Sequence, residues 1–561
     1  MTKKHLDWVV LTILAIGAGC GLVYEYLLSH YAGRILGAVE EAIFGIISVM
    51  MIFMGIGSFL ARHIKNPFAG FAWLELLLAF VGASSVLLIG GIFSLSHLFP
   101  ALLAETFALP PDLIPKGGVI QTIESLARGT PYVVAALLGG LIGMEIPLIG
   151  EIRSQLHADQ LKNNAGSIYG IDYLGAGVGA FLWVFLMLSL EVSLAGALTA
   201  SVNLFIGAVF FYLFKDKIPS APYLLLAHAV VALWVLQIFT YGANWSATME
   251  DMLYQDKVIY RTNTRYQHLV ISERLTDPTK PSVLTFFING RTQFASNDEH
   301  IYHSMLTYPA LAASARQDKI LIIGGGDGLA LRDILRWNPQ HVLLLDLDHE
   351  LVALFKTPKI EQGNVINQRL LEANKGSFND KRVKTKFGDA FVSINQLIRE
   401  NKLFDTIIID LPDPNHPDLN KLYSTRFYHK VFNLLAGDGA MVVQSTSPYH
   451  AKNTFISIGK TIKYAGFAHV QQYHHNVPSF GEWGFTIATK NGQSAKQRLQ
   501  QLDTLKVDDG WITQALMLAA FEFGKNFYQQ AESVKINRLG SMVAYQYHRS
   551  DWQKEMGLYQ Q

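Results

Sequence analysis

Residues 319–346 read KILIIGGGDGLALRDILRWNPQHVLLLD, and this stretch decides the class of the soluble fold. An apolar strand, Ile320–Ile323, runs into Gly324-Gly325-Gly326-Asp327-Gly328. A helix follows, then a second apolar strand, Val342–Leu345, that ends in an acid, Asp346. Glycines there let the backbone turn sharply and approach a ligand closely. An acid closing the next strand, about 20 residues on, suits the two hydroxyls of a ribose. A glycine loop alone would be weak evidence. The order strand, loop, helix, strand, acid predicts a nucleoside site on an α/β sheet.

Working outward, the strand pattern extends on both sides. Residues 266–274 and 283–294 alternate in the period of strands, and Asn289-Gly290 is a type I′ hairpin signal, which predicts a small β layer before the nucleoside sheet. Further strands are expected at 383–387, 404–409, 439–444 and 483–488, separated by helical stretches. With the first two they make a doubly wound, Rossmann-like sheet of the methyltransferase type. Residues 493–561 read as a mostly helical appendage, amphipathic around Trp511–Phe527, with no chemistry to assign.

The N-terminal half is different in kind. Of 561 residues, 50% are hydrophobic and only 16% charged, and the charge deficit lies in the first 245. The start, MTKKHLDWVVLTILAIGAGCGLVYEYLL, has an apolar run too long for a cleaved signal and reads as a retained membrane helix. Apolar runs at 7–30, 40–61, 70–94, 130–150, 167–190, 192–214 and 221–242 are candidate spans, each near the ~20 residues that cross a bilayer. The partly apolar connection 95–129 could add another, so the count is seven or eight. Small residues at Gly175-Ala176-Gly177-Val178-Gly179-Ala180 predict close helix packing. The four regions expected are a multi-span membrane domain over 1–245, a β domain over 250–312, the nucleoside domain over 313–492 and the appendage.

Net charge is +1 with no basic block, so nothing points to nucleic acid. The single cysteine, Cys20, excludes a disulfide framework. Lys3, Lys4, Arg62, Lys65, Arg153, Lys162, Lys215 and Lys217 fall on one side of a seven-span bundle, against Arg34, Lys116 and Arg128 on the other. The positive-inside rule then makes the N-terminus cytoplasmic. Seven spans would put residues 250–561 outside and eight would keep them inside, where a cytosolic nucleoside is available. Glu25, Glu75, Glu145 and Asp172 lie in or near the spans. They read as interfacial groups or helix–helix hydrogen bonds, or, for Glu25, Glu145 and Asp172, as a path for an organic cation.

Ligands of a doubly wound sheet bind beyond the carboxyl ends of its strands. Those ends here carry Gly324–Asp327, Asp346, Gly388-Asp389-Ala390 and, in DTIIIDLPDP, Asp410 with Asp413 close behind. A single acid at a strand end is often a helix N-cap. Several at one mouth favour a cation-binding cleft.

The stretches YQHLVISE, FFINGRTQFASNDEHIYHSM, GGGDGLALRD, GDA and IIIDLPDPNHPDLNKLYSTRFY follow in order. Together they resemble the spermidine synthase (polyamine aminopropyltransferase) family across about 258–492. GLVYEYLL, GMEIPLI and YGIDYLGAGVGA resemble the multi-span domain fused to some bacterial members. The resemblance implies transfer of an aminopropyl group from decarboxylated S-adenosylmethionine to a diamine such as putrescine, giving spermidine and 5′-methylthioadenosine. It implies no cofactor and no metal. Gln267 and Asp346 would hold the nucleoside, Asp389 and Ala390 the adenine edge, with Pro417 packing nearby. Asp327 would bind the donor's amine, Tyr302 and His303 would line the amine channel, and Asp410 and Asp413 would grip the acceptor, Asp410 as general base. The family further suggests a homodimer through the β layer. The apolar spans imply a multi-pass cell-membrane protein with membrane lipid around them, and the cytosolic donor favours a cytosolic catalytic part.

Elementary chemistry fits those roles. An alkylamine with a pKa near 10 must shed a proton before attack, at a cost of about 4 kcal/mol at pH 7. A carboxylate beside it can take that proton. Donor and acceptor are both cations, so acids offset their repulsion. Asp327 would also repel the carboxylate of intact S-adenosylmethionine. One departure stands out: where soluble spermidine synthases have a tyrosine in an IPTY-type loop, this chain has Phe480, with Glu482 as a candidate replacement for the lost hydroxyl. The alternatives are an S-adenosylmethionine-dependent methyltransferase, and a membrane polyamine transporter or sensor.

Overall fold

In hydrocarbon every backbone amide must be satisfied within its own segment, and the helix is how a single segment does so. The long apolar runs accordingly form helices α1 (Lys3–Leu36), α2 (Val39–Leu60), α3 (Pro67–Thr106), α4 (Val119–His157), α5 (Asn164–Phe185), α6 (Val192–Phe214) and α7 (Ala221–Asp251). These coordinates are a computed structural model that describes residues 3–36, 39–107, 118–157, 164–219, 221–254, 256–275, 277–361 and 364–555. It divides into two units, Met1–Val258 and Ile259–Gln561.

Among the described residues seven helices are long and apolar enough to cross a membrane. Among the described residues of the 95–129 connection there is no eighth: they extend α3 to Thr106 and start α4 at Val119, while 108–117 lie outside the described residues. At about 1.5 Å per residue, α3 with 40 residues is about twice as long as a ~30 Å hydrocarbon core, so the extra apolar turns continue an existing helix. An ion pair joins the start of α1 to the end of α4, with Arg153 Nε donating to Asp7 Oδ1 at 2.7 Å and Nη2 to Oδ2 at 3.0 Å.

Small residues set the closest approaches. A Cβ built on Gly175 would lie 1.9 Å from the backbone oxygen of Ala15, and one on Gly179 would lie 2.3 Å from that of Gly19. Gly175 and Gly179 are buried one turn apart on the face of α5 that meets α1, while Gly177 points to open space. Gly175→Val is therefore expected to cost more than about 3 kcal/mol through overpacking against a backbone that cannot yield. It should leave little folded protein, whereas Gly177→Val should match the parent in yield and thermal midpoint. Equal behaviour of the two variants would refute this packing.

The acids of the bundle differ in burial. Glu75 (0% exposed) and Glu145 (2%) are buried, whereas Glu25 and Asp172 are half-buried. A Cβ on Gly17 would sit 3.1 Å from Glu145 Oε2 and 3.5 Å from Glu75 Oε1, so both carboxylates reach one point beside α1. Asn203 Nδ2 donates to Glu75 Oε2 at 2.8 Å, and the Tyr24 hydroxyl donates to Asn203 Oδ1 at 3.1 Å.

The soluble unit opens with an antiparallel sheet in the order of the chain, β1 (Lys257–Asn263), β2 (His268–Arg274), β3 (Val283–Ile288) and β4 (Arg291–Ala295). Asn289 (φ 51°) and Gly290 (φ 76°) make the two-residue turn between β3 and β4, as the type I′ signal predicts. The main sheet comprises β5 (Lys319–Gly324), β6 (His341–Asp346), β9 (Val383–Phe387), β10 (Phe404–Asp410), β11 (Leu435–Gln444), β12 (His469–Val477) and β13 (Gly481–Thr489). A two-residue ladder, β7 (Ile360–Glu361) and β8 (Asn364–Val365), lies outside it. The order is β12-β13-β11-β10-β5-β6-β9, parallel from β11 through β9, with β13 antiparallel to both its neighbours. Ile320, Leu321, Ile322 and Ile323 are all at 0% exposure, as central strands covered on both faces must be.

Sequence reading misses β12, whose HVQQYHHNV has no apolar run because it is a half-exposed edge strand. The appendage is also less helical than expected: Ala495–Gln500, Gln514–Ala519 and Val543–Glu555 are its α-helices, and the rest is largely turns.

Candidate active site at the strand ends

The glycine loop is shaped by what it must avoid. Gly324, Gly325 and Gly328 have φ of +83°, +68° and +75°, which L side chains rarely adopt. A Cβ on Gly324 would lie 2.0 Å from the Asp410 carbonyl oxygen, and one on Gly326 would lie 2.8 Å from Asp346 Oδ2. Side chains at these positions would push apart the two strand-end acids. The loop also ties itself to β10 through the Gly325 amide, which donates to the Asp410 carbonyl at 3.1 Å.

Parallel register sets Asp410 beside Gly324, so the ends of β5 and β10 share one mouth. The helix Glu299–Ala313 (α8) crosses it and supplies Tyr302, whose hydroxyl donates to Asp410 Oδ1 at 2.7 Å. Tyr302 (7% exposed) and His303 (1%) are buried, while Asp327, Asp410 and Asp413 are half-buried. Phe480 packs edge-on against Tyr302 with ring centroids 5.6 Å apart. Its loop is held by Asp298, which accepts from the Ser479 amide at 2.6 Å and its hydroxyl at 2.9 Å.

Burial dominates the electrostatics of the acids. Desolvation pushes Asp346 up to about 7, and its bond from the Asp348 amide opposes that only in part. Desolvation and the neighbouring Asp327 charge raise Asp410 to about 6, with His303 and the Tyr302 hydroxyl pulling it down. Asp327 is likewise raised by burial. Asp413 goes the other way: burial raises it, but the hydrogen bond and charge of His548, with Arg291 and Thr446, hold it below the usual carboxylate range. Buried acids raised by dehydration and mutual repulsion form a cleft that a cation relieves.

Beneath α8 lies a charge network. Arg332 forks onto Glu299, with Nη1 donating to Oε1 at 2.7 Å and Nη2 to Oε2 at 3.1 Å, and His303 Nδ1 stands 2.9 Å from the same Oε2. Burial lowers His303, but the Glu299 bond and charge outweigh it and raise the imidazole to about 9. His303 is thus a cation at neutral pH, anchored from below.

The remaining expected residues are placed as follows. Gln267 Nε2 donates to Asp348 Oδ2 at 2.9 Å, beside the Thr264 hydroxyl at 2.6 Å. Asp389 accepts from the Phe391 amide at 2.8 Å as N-cap of Ala390–Arg399, and its other oxygen meets Lys421 Nζ at 2.5 Å. Ala390 opens that helix, and Pro417 opens the short helix that leads to Lys421. Asp327 accepts from the Leu329 amide at 2.9 Å. Asp389 and Asp327 therefore both accept from local backbone amides. Glu482 does not reach the cleft acids; its Oε1 pairs with His474 across β12 and β13. Sequence reading does not reveal Glu299, Arg332, Asp348, Lys421 or His548. Of these only Asp348 left a trace there, as an acid two residues past a strand end.

Similarity to known proteins bears directly on this mouth. Residues 299–500 match the spermine/spermidine synthase domain. The polyamine aminopropyltransferase of Shewanella oneidensis is 51% identical over 552 residues, covering 98% of this chain and 96% of that protein. The chain belongs to the polyamine aminopropyltransferase family. Polyamine aminopropyltransferase 1 of Streptomyces coelicolor is 31% identical over 97% of this chain and 94% of that one, so the likeness includes the helical half. A solved spermidine synthase in complex with the transition-state analogue AdoDATO aligns with 50% of this chain and 90% of its own, at 23% identity and a TM-score of 0.42. As an aminopropyltransferase the protein moves an aminopropyl group, with decarboxylated S-adenosylmethionine as co-substrate. Among the described residues no group of three or more His, Cys, Asp or Glu is arranged to hold a metal ion.

Proposed function

We propose that the cleft transfers the aminopropyl group to a diamine such as putrescine, yielding spermidine and 5′-methylthioadenosine, with Asp410 as general base. The observation that carries this is the Tyr302–Asp410 bond, set in a mouth shared with Asp327 and the Asp346 strand end. The amine nitrogen attacks the carbon beside the sulfonium. The C–S bond breaks with its electron pair on sulfur, which leaves as a neutral thioether, and the surplus proton passes to Asp410.

In this reading Asp346 holds the ribose and Gln267 backs it through Asp348. Asp389 and Ala390 meet the adenine edge, and Pro417 packs beside it. Asp327 takes the donor's ammonium; Tyr302 and the cationic His303 line the channel; Asp413 shares the acceptor with Asp410. The soluble unit then works as a β layer (250–312), a nucleoside domain (313–492) and an appendage (493–561). The test is a panel of donors and amines read by mass spectrometry. Methylthioadenosine should form only with the decarboxylated donor. Methyl transfer from intact S-adenosylmethionine would overturn the reading, and amine binding without turnover would leave only a sensor.

Seven spans put the two ends of the bundle on opposite faces. Because the donor is a cytosolic metabolite, we place the catalytic unit in the cytosol of a cell-membrane protein, against the positive-inside count. A C-terminal reporter active only outside the cytoplasm would reverse this. Membrane lipid around the bundle and a homodimer through the β layer complete the proposal; a monomeric native mass in mild detergent would remove the dimer.

A further inference from the structure

The C-terminal appendage carries no motif, yet its last helix, Val543–Glu555, is docked beside the Asp410–Tyr423 segment. Asn537 (1% exposed) donates from Nδ2 to the carbonyls of Asn420 at 3.0 Å and Tyr423 at 3.1 Å. The Tyr545 amide donates to Asn420 Oδ1 at 3.2 Å. Further along, Asp551 accepts from the Asn453 amide at 2.9 Å and from its side chain at 2.8 Å. Between these anchors His548, 2% exposed, brings Nε2 to 3.1 Å from Asp413 Oδ2. The Trp552 indole N–H donates to the same His548 Nε2 at 3.1 Å, and its ring stacks on His450 with centroids 5.2 Å apart.

Asp413 is thereby encircled by protein polar groups. The Thr446 hydroxyl donates to Oδ2 at 3.1 Å and Gln444 Nε2 to Oδ1 at 3.3 Å, so His548 is the third group on this carboxylate. Gln444 ends β11 and Thr446 lies two residues beyond it, whereas His548 comes from a helix 135 positions along the chain. An ammonium that reaches Asp413 must share the carboxylate with this imidazole or turn it aside.

We propose that the C-terminal helix forms one wall of the acceptor subsite and that His548 is its specificity-determining residue, orienting Asp413 toward the amine and setting which alkyl amines fit. This rests on the acceptor role given above to Asp413. His548 makes no bond in the reaction; it is a positioning residue. Trp552, which meets the same ring nitrogen, and His450, stacked on Trp552, hold the imidazole in place, so the wall is an aromatic surface and not a mobile tail. An alkyl chain passing Asp413 would run along those rings, and its length would be read there.

The test uses the full-length protein in detergent with saturating decarboxylated donor, and diamines of three, four and five carbons beside a triamine as acceptors. His548→Ala should raise the acceptor KM tenfold or more and flatten the ranking among chain lengths. The donor KM should stay within twofold. His548→Gln, whose amide N–H can reach the same carboxylate oxygen, should restore much of the parent's KM and ranking. An active His548→Ala enzyme with parental acceptor KM and ranking would overturn the proposal. So would a parallel rise of donor and acceptor KM unrelieved by glutamine, which would mark a general structural defect. A parent protein that forms no methylthioadenosine with any amine would instead sink the acceptor reading, and this inference with it.

Discussion

Asp410→Asn should lower kcat by about 10²–10⁴-fold, the span that a general base supplies, while leaving donor affinity unchanged. The substitution is nearly isosteric. The asparagine oxygen still accepts from the Tyr302 hydroxyl, which donates at 2.7 Å in the parent, so the mouth keeps its shape and loses only a proton acceptor. Titration calorimetry with methylthioadenosine would check binding, and single-turnover rates would check chemistry. A variant retaining a tenth of the parental rate would exclude Asp410 as the base. The parent should also show an acid limb in kcat/KM. Asp410 sits at about 6, raised by burial and by Asp327 and lowered by His303 and Tyr302, and a base works only when ionised. Activity should therefore fall as pH drops through about 6. Asp327→Asn, by removing the like charge, should move that limb to lower pH.

The second large effect is on stability. Glu299→Gln strips the charge from a carboxylate that serves both Arg332 and His303. Both cations are buried, at 9% and 1% exposure, and Asp333, bonded to Arg332 Nε at 2.9 Å, would be left to balance Arg332. Breaking a buried pair from one side costs about 3–5 kcal/mol, which corresponds to a fall of roughly 10 °C in thermal midpoint for a domain of this size. The pH dependence follows from the shifts. Burial alone would raise Glu299, but His303 and Arg332 depress it to about 2. Its stabilisation is thus present above the ordinary carboxylate range and lost as pH falls toward about 2. His303 is raised to about 9, so its contribution is complete below its ordinary value and lost as pH rises through about 9. Midpoints measured across pH should show both limbs in the parent and neither in the variant. An unchanged midpoint at pH 7 would show that the network carries no net stability.

These two predictions draw on different kinds of information. Asp410 is visible in the chain as the acid that closes DTIIIDLPDP. Glu299 is not, because nothing local separates it from any acid in the first turn of a helix. Phe480 and Glu482 show the same divide within a few residues. Sequence reading puts Phe480 at the acceptor site, and it does pack against Tyr302. Glu482 falls to His474, since the pairing of β12 with β13 is invisible while β12 itself lacks an apolar pattern.

What the residues determine alone is whatever repeats over short range. Seven apolar runs, the glycines that a tight loop demands, an Asn-Gly turn and acids at the ends of apolar strands all follow from local sterics and from the periods of helix and strand. The tertiary structure alone decided that Glu145 and Glu75 both approach Gly17, that Gln267 bonds Asp348, and that His548 closes on Asp413 from 135 positions along the chain. Those contacts join polar side chains that are distant in sequence. They leave no periodic mark, because their energy arises only when packing has removed the water between them.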